Sequence, residues 1–279
     1  MKPLPFQRVF HPTDFSEGDQ HAFEHALRIA LAARGELNLL HVADRDETAD
    51  WTDFPSLRAI LEAWGVVPKG SRHADVATAG LRARKVIRQT DGVGAAIAAT
   101  VADDHPDLVV LATHQRTGLG RWLYQAIAEP IARESRAMTL FVPRRVLGFV
   151  RGDTGRIALG TILVPVDREP HAQPAVDAAA ALARTLGCKE VHFIFLHVGP
   201  ESDAPRVQAP TDPGWTSETE SWEGAVVEHI LDAAEANEAD LIVMAKRGQR
   251  GVLDALRGST TERVLRGARC PVLVVPVPG

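Results

Sequence analysis

The chain has 279 residues, of which 45% are hydrophobic and 24% charged, and its formal net charge is −5. This composition is typical of a globular protein, and the length predicts two domains, each large enough to bury a core. The acidic balance argues against broad nucleic-acid binding, and no apolar run approaches the roughly 18 residues of a membrane helix.

In the first part of the chain, short apolar runs alternate with helical patterns, which is typical of parallel sheets with crossover helices. Strands are expected over residues 8–11, 37–42, 83–88, 108–112 and 139–142. Helices are expected from an N-cap at Ser16 to about residue 33, near 55–64 and over about 93–103. In the first of these helices, Phe23, Ala26, Leu27 and Ala30 share one face.

The second part follows the same order. Strands are expected over residues 162–166, 191–198, 241–245 and 272–275. Helices are expected over residues 173–186, 225–237 and 260–267. Between them, a polar, proline-rich stretch runs from residue 199 to about 216 and predicts irregular chain.

The two parts are copies of one unit. The segment 107–112 recurs as 240–245, an offset of 133, and His41-Val42 recurs as His197-Val198, an offset of 156. About 23 residues, enough for one helix and its loops, are therefore missing from the second copy. We predict domains over residues 1–147 and 157–279, with a linker near 144–159, and call these domains the first and second halves.

The last strands of the two halves, 139–142 and 272–275, are short and apolar. An exposed apolar edge invites pairing with another strand. The two halves are therefore expected to pack through these strands as a pseudo-dimer within one chain.

A candidate phosphate site lies after residue 245. Gly248 and Gly251 lack a Cβ atom and so permit positive φ and close approach of a ligand. Gly258 and Ser259 precede a helix, whose free N–H groups and positive dipole end attract anions. The hydroxyls of Ser259 and Thr260 can donate hydrogen bonds to phosphate oxygens. Lys246, Arg247 and Arg250 are nearby cations that could offset phosphate charge.

Structural explanations exist for the same residues. Ser259 and Glu262 have the spacing of a capping box, and the glycines could simply form turns. Similarly, His21, Glu24 and His25 have the His-x-x-Glu-His spacing of a group of zinc peptidases. Phe23 lies on the core face within this motif, and no distant third ligand stands out, so a structural role is favoured.

Residues 12–18, Pro-Thr-Asp-Phe-Ser-Glu-Gly, resemble the opening turn of the universal stress proteins. The His-Val strand ends and the segment 240–276 are similar to the same family, so the resemblance covers nearly the whole chain twice. It implies an α/β fold with two tandem, five-stranded, mainly parallel open sheets and flanking helices. Members commonly dimerise, which fits a pseudo-dimer and leaves a homodimer open.

Members that bind ATP carry the pattern Gly-x2-Gly-x9-Gly-Ser/Thr. The second half has this spacing at Ala245, Gly248, Gly258 and Ser259, with alanine for the first glycine, whereas the first half has Ala112, Gln115, Gln125 and Ala126. The resemblance therefore implies one ATP site per chain, with the presence of Mg²⁺ left open. It places Asp167 against the adenosine, together with Pro165, Val166 and Val198.

The sequence thus predicts a cytoplasmic stress-response regulator that binds ATP in its second half and acts on an unknown protein partner. No signal peptide is evident, and two cysteines are too few for a disulfide framework. One alternative is a nucleotide-free interaction protein that uses the first half as a partner surface. Alanine at position 245 and the missing helix beside the second site favour it. Another is an adenine-nucleotide hydrolase, but the Ser-Gly-Gly-x-Asp-Ser loop of such enzymes is absent and no catalytic residue is assigned.

Overall fold

The computed structural model defines the fold over most of the chain. It describes residues 6–43, 50, 52–90, 92–113, 137–247 and 259–277. The statements below refer to these residues.

Each half contains five strands. In the first half these are β1 (Arg8–Pro12), β2 (Glu36–Ala43), β3 (Arg82–Gln89), β4 (Leu108–Thr113) and β5 (Met138–Pro143). In the second half they are β6 (Thr161–Pro165), β7 (Val191–Val198), β8 (Trp215–Trp222), β9 (Leu241–Arg247) and β10 (Val272–Val277). Each half is therefore a five-stranded unit, as expected.

The helices connect the strands as crossovers. The described helices of the first half are α1 (Gln20–Ala32), α2 (Leu57–Ala63), α3 (His73–Thr78) and α4 (Val93–Asp104). Those of the second half are α5 (Gln173–Leu186), α6 (Val226–Ala236) and α7 (Thr260–Gly267). Where the first half has α2 and α3, the second half has a 3-10 turn at Glu201–Asp203 and irregular chain up to β8. Among the described helices, none is long and apolar enough to cross a membrane.

The ten strands form one continuous sheet in the order β3-β2-β1-β4-β5-β10-β9-β6-β7-β8. Neighbouring strands are parallel within each half, whereas β5 and β10 pair antiparallel, with Leu140 opposite Leu273. The predicted pseudo-dimer through the last strands is confirmed. The two expected sheets are joined edge to edge, because each apolar edge strand supplies hydrogen-bonding groups to the other.

The core has a layer on each face of this sheet, and both layers contain residues from both halves. On one face, α1 and α5 pack against the strands, and the expected α1 residues Phe23, Ala26, Leu27 and Ala30 are all buried. On the other face, α4, α6 and α7 provide the cover. Parallel strands that are covered on both faces are mostly apolar, and β6, β7 and the first five residues of β9 are accordingly rich in hydrophobic residues.

Three local features differ from expectation. Ser16 does not cap α1, because its Oγ donates to Oδ1 of Asp14 at 2.5 Å and the helix begins only at Gln20. The short helix α3 was not expected. Within the stretch expected to be irregular or unassigned, Trp215–Trp222 forms β8, an edge strand parallel to β7.

The linker between β5 and β6 packs against the first half and forms hydrogen bonds with it. Phe149 and Val150 are fully buried, and their N–H groups donate to Nε2 of His25 at 3.1 and 3.3 Å. Further along, Nε1 of Trp64 donates to the carbonyl of Gly152 at 2.8 Å. The linker therefore forms part of the layer that covers α1.

Candidate functional site

The carboxyl end of β6 is the centre of the candidate site. In the second half, β6 lies between β7 and β9, so the chain leaves β6 at the point where the strand order reverses. In open α/β sheets, ligands bind in the crevice at such a switch point. Three strand ends with predicted site residues therefore lie side by side.

The predicted residues after β6 form a fixed turn. Pro165 ends the strand half-buried, and Val166 is buried, with its N–H donating to the carbonyl of Leu196 at 2.8 Å. Asp167 follows with an exposed side chain. Within the described part of the chain, its carboxylate accepts one hydrogen bond, from the N–H of Arg168 at 2.7 Å. Asp167 is thus held in place while its charge faces outward.

The end of β7 supports this turn from the side. Val198 is half-buried and packs against the core layer of α6 and α7. Its neighbour His197 is buried, and its Nδ1 lies 3.2 Å from the carbonyl of Val166, to which it can donate. His197 therefore fixes the backbone beside Asp167. The sequence indicated its position through the repeated His-Val pair, but not this contact.

The end of β9 carries two predicted residues with different surroundings. Ala245 pairs with Val275 of β10 and packs against the core layer of α1 and α5. Its methyl group thus has a place in the core, so the alanine is compatible with the strand end. Arg247 is exposed, and its Nη2 donates to Oε2 of Glu169 at 2.8 Å. This ion pair links the loop after β6 to the end of β9.

The start of α7 places Ser259 and Thr260 near the same edge. Because α7 leads back to the start of β10, its N-terminus lies toward the carboxyl edge of the sheet. Oγ of Ser259 accepts a hydrogen bond from the N–H of Glu262 at 3.2 Å, so the predicted N-cap is confirmed. The exposed Thr260 is the first residue of the helix.

The glycines of the candidate site lie outside the described residues. Gly248, Gly251 and Gly258 all fall in the segment 248–258, so their contacts remain predictions. Arg250 falls in the same segment. The structure therefore places the two ends of the candidate phosphate loop, at Arg247 and Ser259.

The equivalent edge of the first half is arranged differently. Oδ2 of Asp14, the counterpart of Asp167, accepts from Nη2 of Arg144 at 2.6 Å. Burial alone would raise the pKa of Asp14. Hydrogen bonds from Ser16 and Arg144 and the charge of Arg144 outweigh burial, so the pKa of Asp14 lies below its usual value. Asp14 is thus a turn residue whose carboxylate is already paired with Arg144.

The His-x-x-Glu-His motif has an internal structural use. Nδ1 of His21 lies 3.1 Å from Oε2 of the buried Glu24, and Nδ1 of His25 lies 2.6 Å from the carbonyl of His21. Since Nε2 of His25 accepts from the linker, the ring is committed on both sides. Within the described ranges, no group of three or more His, Cys, Asp or Glu residues could hold a metal ion.

Comparison with known proteins gives one consistent family. A model of the universal stress protein family matches residues 5–143 and 204–276. A universal stress protein of Methanocaldococcus jannaschii is 48% identical over 60 residues, which are 22% of this chain and 35% of that protein. One from Synechocystis is 32% identical over 154 residues, which cover 48% of this chain and 95% of that protein.

Solved structures agree on the fold. A universal stress protein from Archaeoglobus fulgidus superimposes with a TM-score of 0.61 at 20% identity, covering 97% of this chain and 98% of that chain. A protein from Pseudomonas aeruginosa superimposes with a TM-score of 0.60 at 15% identity, covering 96% of this chain and 92% of that chain. The family model covers both halves and most of the chain, so this protein belongs to the universal stress protein family.

Proposed function

We propose that the second half binds one molecule of ATP per chain at the carboxyl ends of β6, β7 and β9. The nucleotide acts as a regulatory ligand in a cytoplasmic stress response, with the protein partner and the presence of Mg²⁺ left open. The adenosine lies against Pro165, Val166, Asp167 and Val198. The phosphates lie against the glycine-rich segment, Arg247 and the start of α7.

The contrast between Asp167 and Asp14 carries this proposal. Both follow the central strand of their half, at the switch point. Both carboxylates are exposed, but Asp14 accepts hydrogen bonds from the Arg144 guanidinium and from Ser16, whereas Asp167 accepts only a backbone hydrogen bond among the described residues. A carboxylate that is held in position at a switch point is suited to orient a ligand hydroxyl or amine. The same half retains the glycine spacing.

The start of α7 supports binding of the phosphates. Ser259 accepts the capping hydrogen bond, but a hydroxyl can accept and donate at the same time. Capping and phosphate binding are therefore compatible at Ser259. The helix N-terminus adds free N–H groups and a positive dipole end.

Calorimetric titration tests the number of sites. A ratio near one ATP per chain is expected, because the first half lacks the glycine spacing and its Asp14 is engaged. A ratio near two would show that Gln115 and Gln125 can replace the glycines. Gly258→Val should abolish binding while the fold persists, because a branched side chain crowds the expected phosphate position.

A matched pair of variants tests the position of the site. Asp167→Asn and Asp14→Asn remove the same charge from equivalent turns. We expect Asp167→Asn to weaken ATP binding at least several-fold, because a hydrogen bond to a charged group is lost, and Asp14→Asn to leave it unchanged. Equal effects, or an effect of Asp14→Asn alone, would move the site or refute it.

The nucleotide-free interaction protein remains the second candidate. The missing helix beside the second site still favours it. Alanine at position 245 favours it less, because that methyl group packs against the core. Native mass spectrometry separates the two functions, since a retained nucleotide adds its mass to the purified chain. A chain that carries no nucleotide and binds none when ATP is added would favour the interaction protein.

A further inference from the structure

Arg247, a cation expected to meet phosphate, is already engaged by an acidic side chain. Its Nη2 donates to Oε2 of Glu169 at 2.8 Å. Glu169 lies two residues after Asp167, and Arg247 is the last residue of β9. The ion pair therefore spans the crevice between the ends of β6 and β9, on the side where the phosphate loop begins.

We propose that Glu169 is an internal competitor for the phosphates of the bound nucleotide. The Glu169 carboxylate pairs with the Arg247 guanidinium until a phosphate group displaces the carboxylate. Carboxylate and phosphate oxygens bind a guanidinium in the same way, so the two anions compete directly. This inference rests on the proposed function and adds to it a residue that sets selectivity by phosphate content.

The exposure of the pair suits a competitor rather than a permanent lock. The side chain of Arg247 is 42% exposed and that of Glu169 is 75% exposed. Water and salt weaken such a pair, so a ligand with several negative charges can displace it. A ligand without phosphate has no group that could exchange with Glu169, and it gains nothing from the opening of the pair.

Glu169 lies in the second half, which is the half that retains the glycine spacing. Asp14 and Asp167 lie 153 positions apart, and with the same offset the counterpart of Glu169 is Ser16. Both the N–H and the hydroxyl of Ser16 donate to Asp14, at 3.0 and 2.5 Å. At this position the first half thus has the neutral Ser16, which bonds within its own loop, whereas the second half has the anionic Glu169, which contacts β9.

The adjacent Arg168 provides a matched control. It contacts a different residue, with its Nε donating to the carbonyl of Asp203 at 3.2 Å and its Nη2 lying 3.6 Å from Oδ1 of Asp203. Asp203→Asn and Glu169→Gln change the net charge equally, and each breaks one exposed ion pair of the same loop. Only Glu169→Gln removes the negative charge that pairs with Arg247.

The test is calorimetric titration of the full chain with ATP and with adenosine. Glu169→Gln should raise the affinity for ATP by about two- to fivefold, the range of an exposed ion pair, and leave the affinity for adenosine unchanged. Asp203→Asn should change neither. In an Arg247→Gln background, Glu169→Gln should give no gain. Melting temperatures confirm that all variants are folded.

The outcomes separate this inference from the proposed function. An ATP affinity that stays equal or falls in Glu169→Gln overturns the competitor while ATP binding stands. An equal gain in Asp203→Asn, or for adenosine, shows a general charge or loop effect and also overturns it. A wild-type chain that binds neither ligand overturns the proposed function, and the competitor with it.

Discussion

His25 is a buried, neutral histidine that joins α1 to the linker. Burial, opposed by its hydrogen bond to the His21 carbonyl but assisted by the charges of His21 and Arg151, lowers its pKa to about 4. Its Nε2 accepts hydrogen bonds from the N–H groups of Phe149 and Val150. Protonation of Nε2 would turn this acceptor into a donor that faces two other donors. The neutral ring is therefore the form that the fold requires.

This arrangement predicts that the free energy of unfolding falls as the pH is lowered from about 6.5 to about 4. In the unfolded chain His25 titrates near 6.5, so protons in this window bind preferentially to the unfolded state. The stability present above the unfolded pKa is lost on approaching the folded pKa, a loss of roughly 3 kcal/mol. Chemical denaturation across this range measures it.

The control for this prediction is His25→Gln, which cannot be protonated in this range and should flatten the profile. His11 does not confound the window. Burial would lower its pKa, but the charge and hydrogen bond of Asp19, with the Val110 carbonyl and Asp14, raise it overall. A raised pKa gives stability that is complete below 6.5 and lost only as the pH rises above it. Parallel profiles of both proteins would assign the slope to other groups.

At the scale of single elements, the packing of the linker against α1 can be tested at a glycine. Gly148 has φ of +68°, and a Cβ atom there would lie 2.5 Å from Nε2 of His25. Gly65 has the same φ of +68°, but a Cβ atom there would meet nothing within 4 Å. The two glycines therefore separate backbone strain from steric overlap.

We expect Gly65→Ala to destabilise the protein by about 1 kcal/mol, the cost of a side chain in the left-handed region. Gly148→Ala should cost about 1–3 kcal/mol more, because the methyl group also displaces the buried His25 ring. Denaturant unfolding of both variants measures the difference. Equal costs would show that the linker can move away from α1 without loss.

The sequence predicts elements well where apolar residues recur with one clear period. The expected helix at 173–186 and strand at 191–198 agree with α5 and β7 to the residue. β8 was missed because its central residues, Thr-Ser-Glu-Thr, are polar and exposed on both faces, so no alternation marks it. Its pairing with β7 decides its structure, and pairing is not visible in local sequence.

The candidate site also contains features that the sequence predicts and features that it does not. The positions of Asp167, Val198 and Ala245 at one edge could be predicted, because the carboxyl ends of parallel strands meet there. The ion pair between Glu169 and Arg247, and the bond from Arg144 to Asp14, join loops far apart in the chain. Such contacts depend on how each loop turns, so motif spacing does not reveal them.

At the scale of the whole molecule, the junction of β5 and β10 makes one body of two similar halves. Leu140 and Leu273 are opposite each other across the junction and both are fully buried. Each core layer contains residues of both halves, and the linker adds buried contacts to α1. Neither half can therefore lose its packing without exposing apolar surface of the other.

We predict that the chain unfolds in a single transition. In hydrogen-exchange mass spectrometry along a denaturant series, peptides from β2 and β7 should lose protection at the same midpoint. Leu273→Ala should lower both midpoints together, by about 2–5 kcal/mol of stability, because it leaves a cavity at the shared junction. Leu147→Ala, at a linker side chain that is 58% exposed, should lower neither. Separate midpoints, or a shift in the second half alone, would mean that the junction joins two bodies that fold independently.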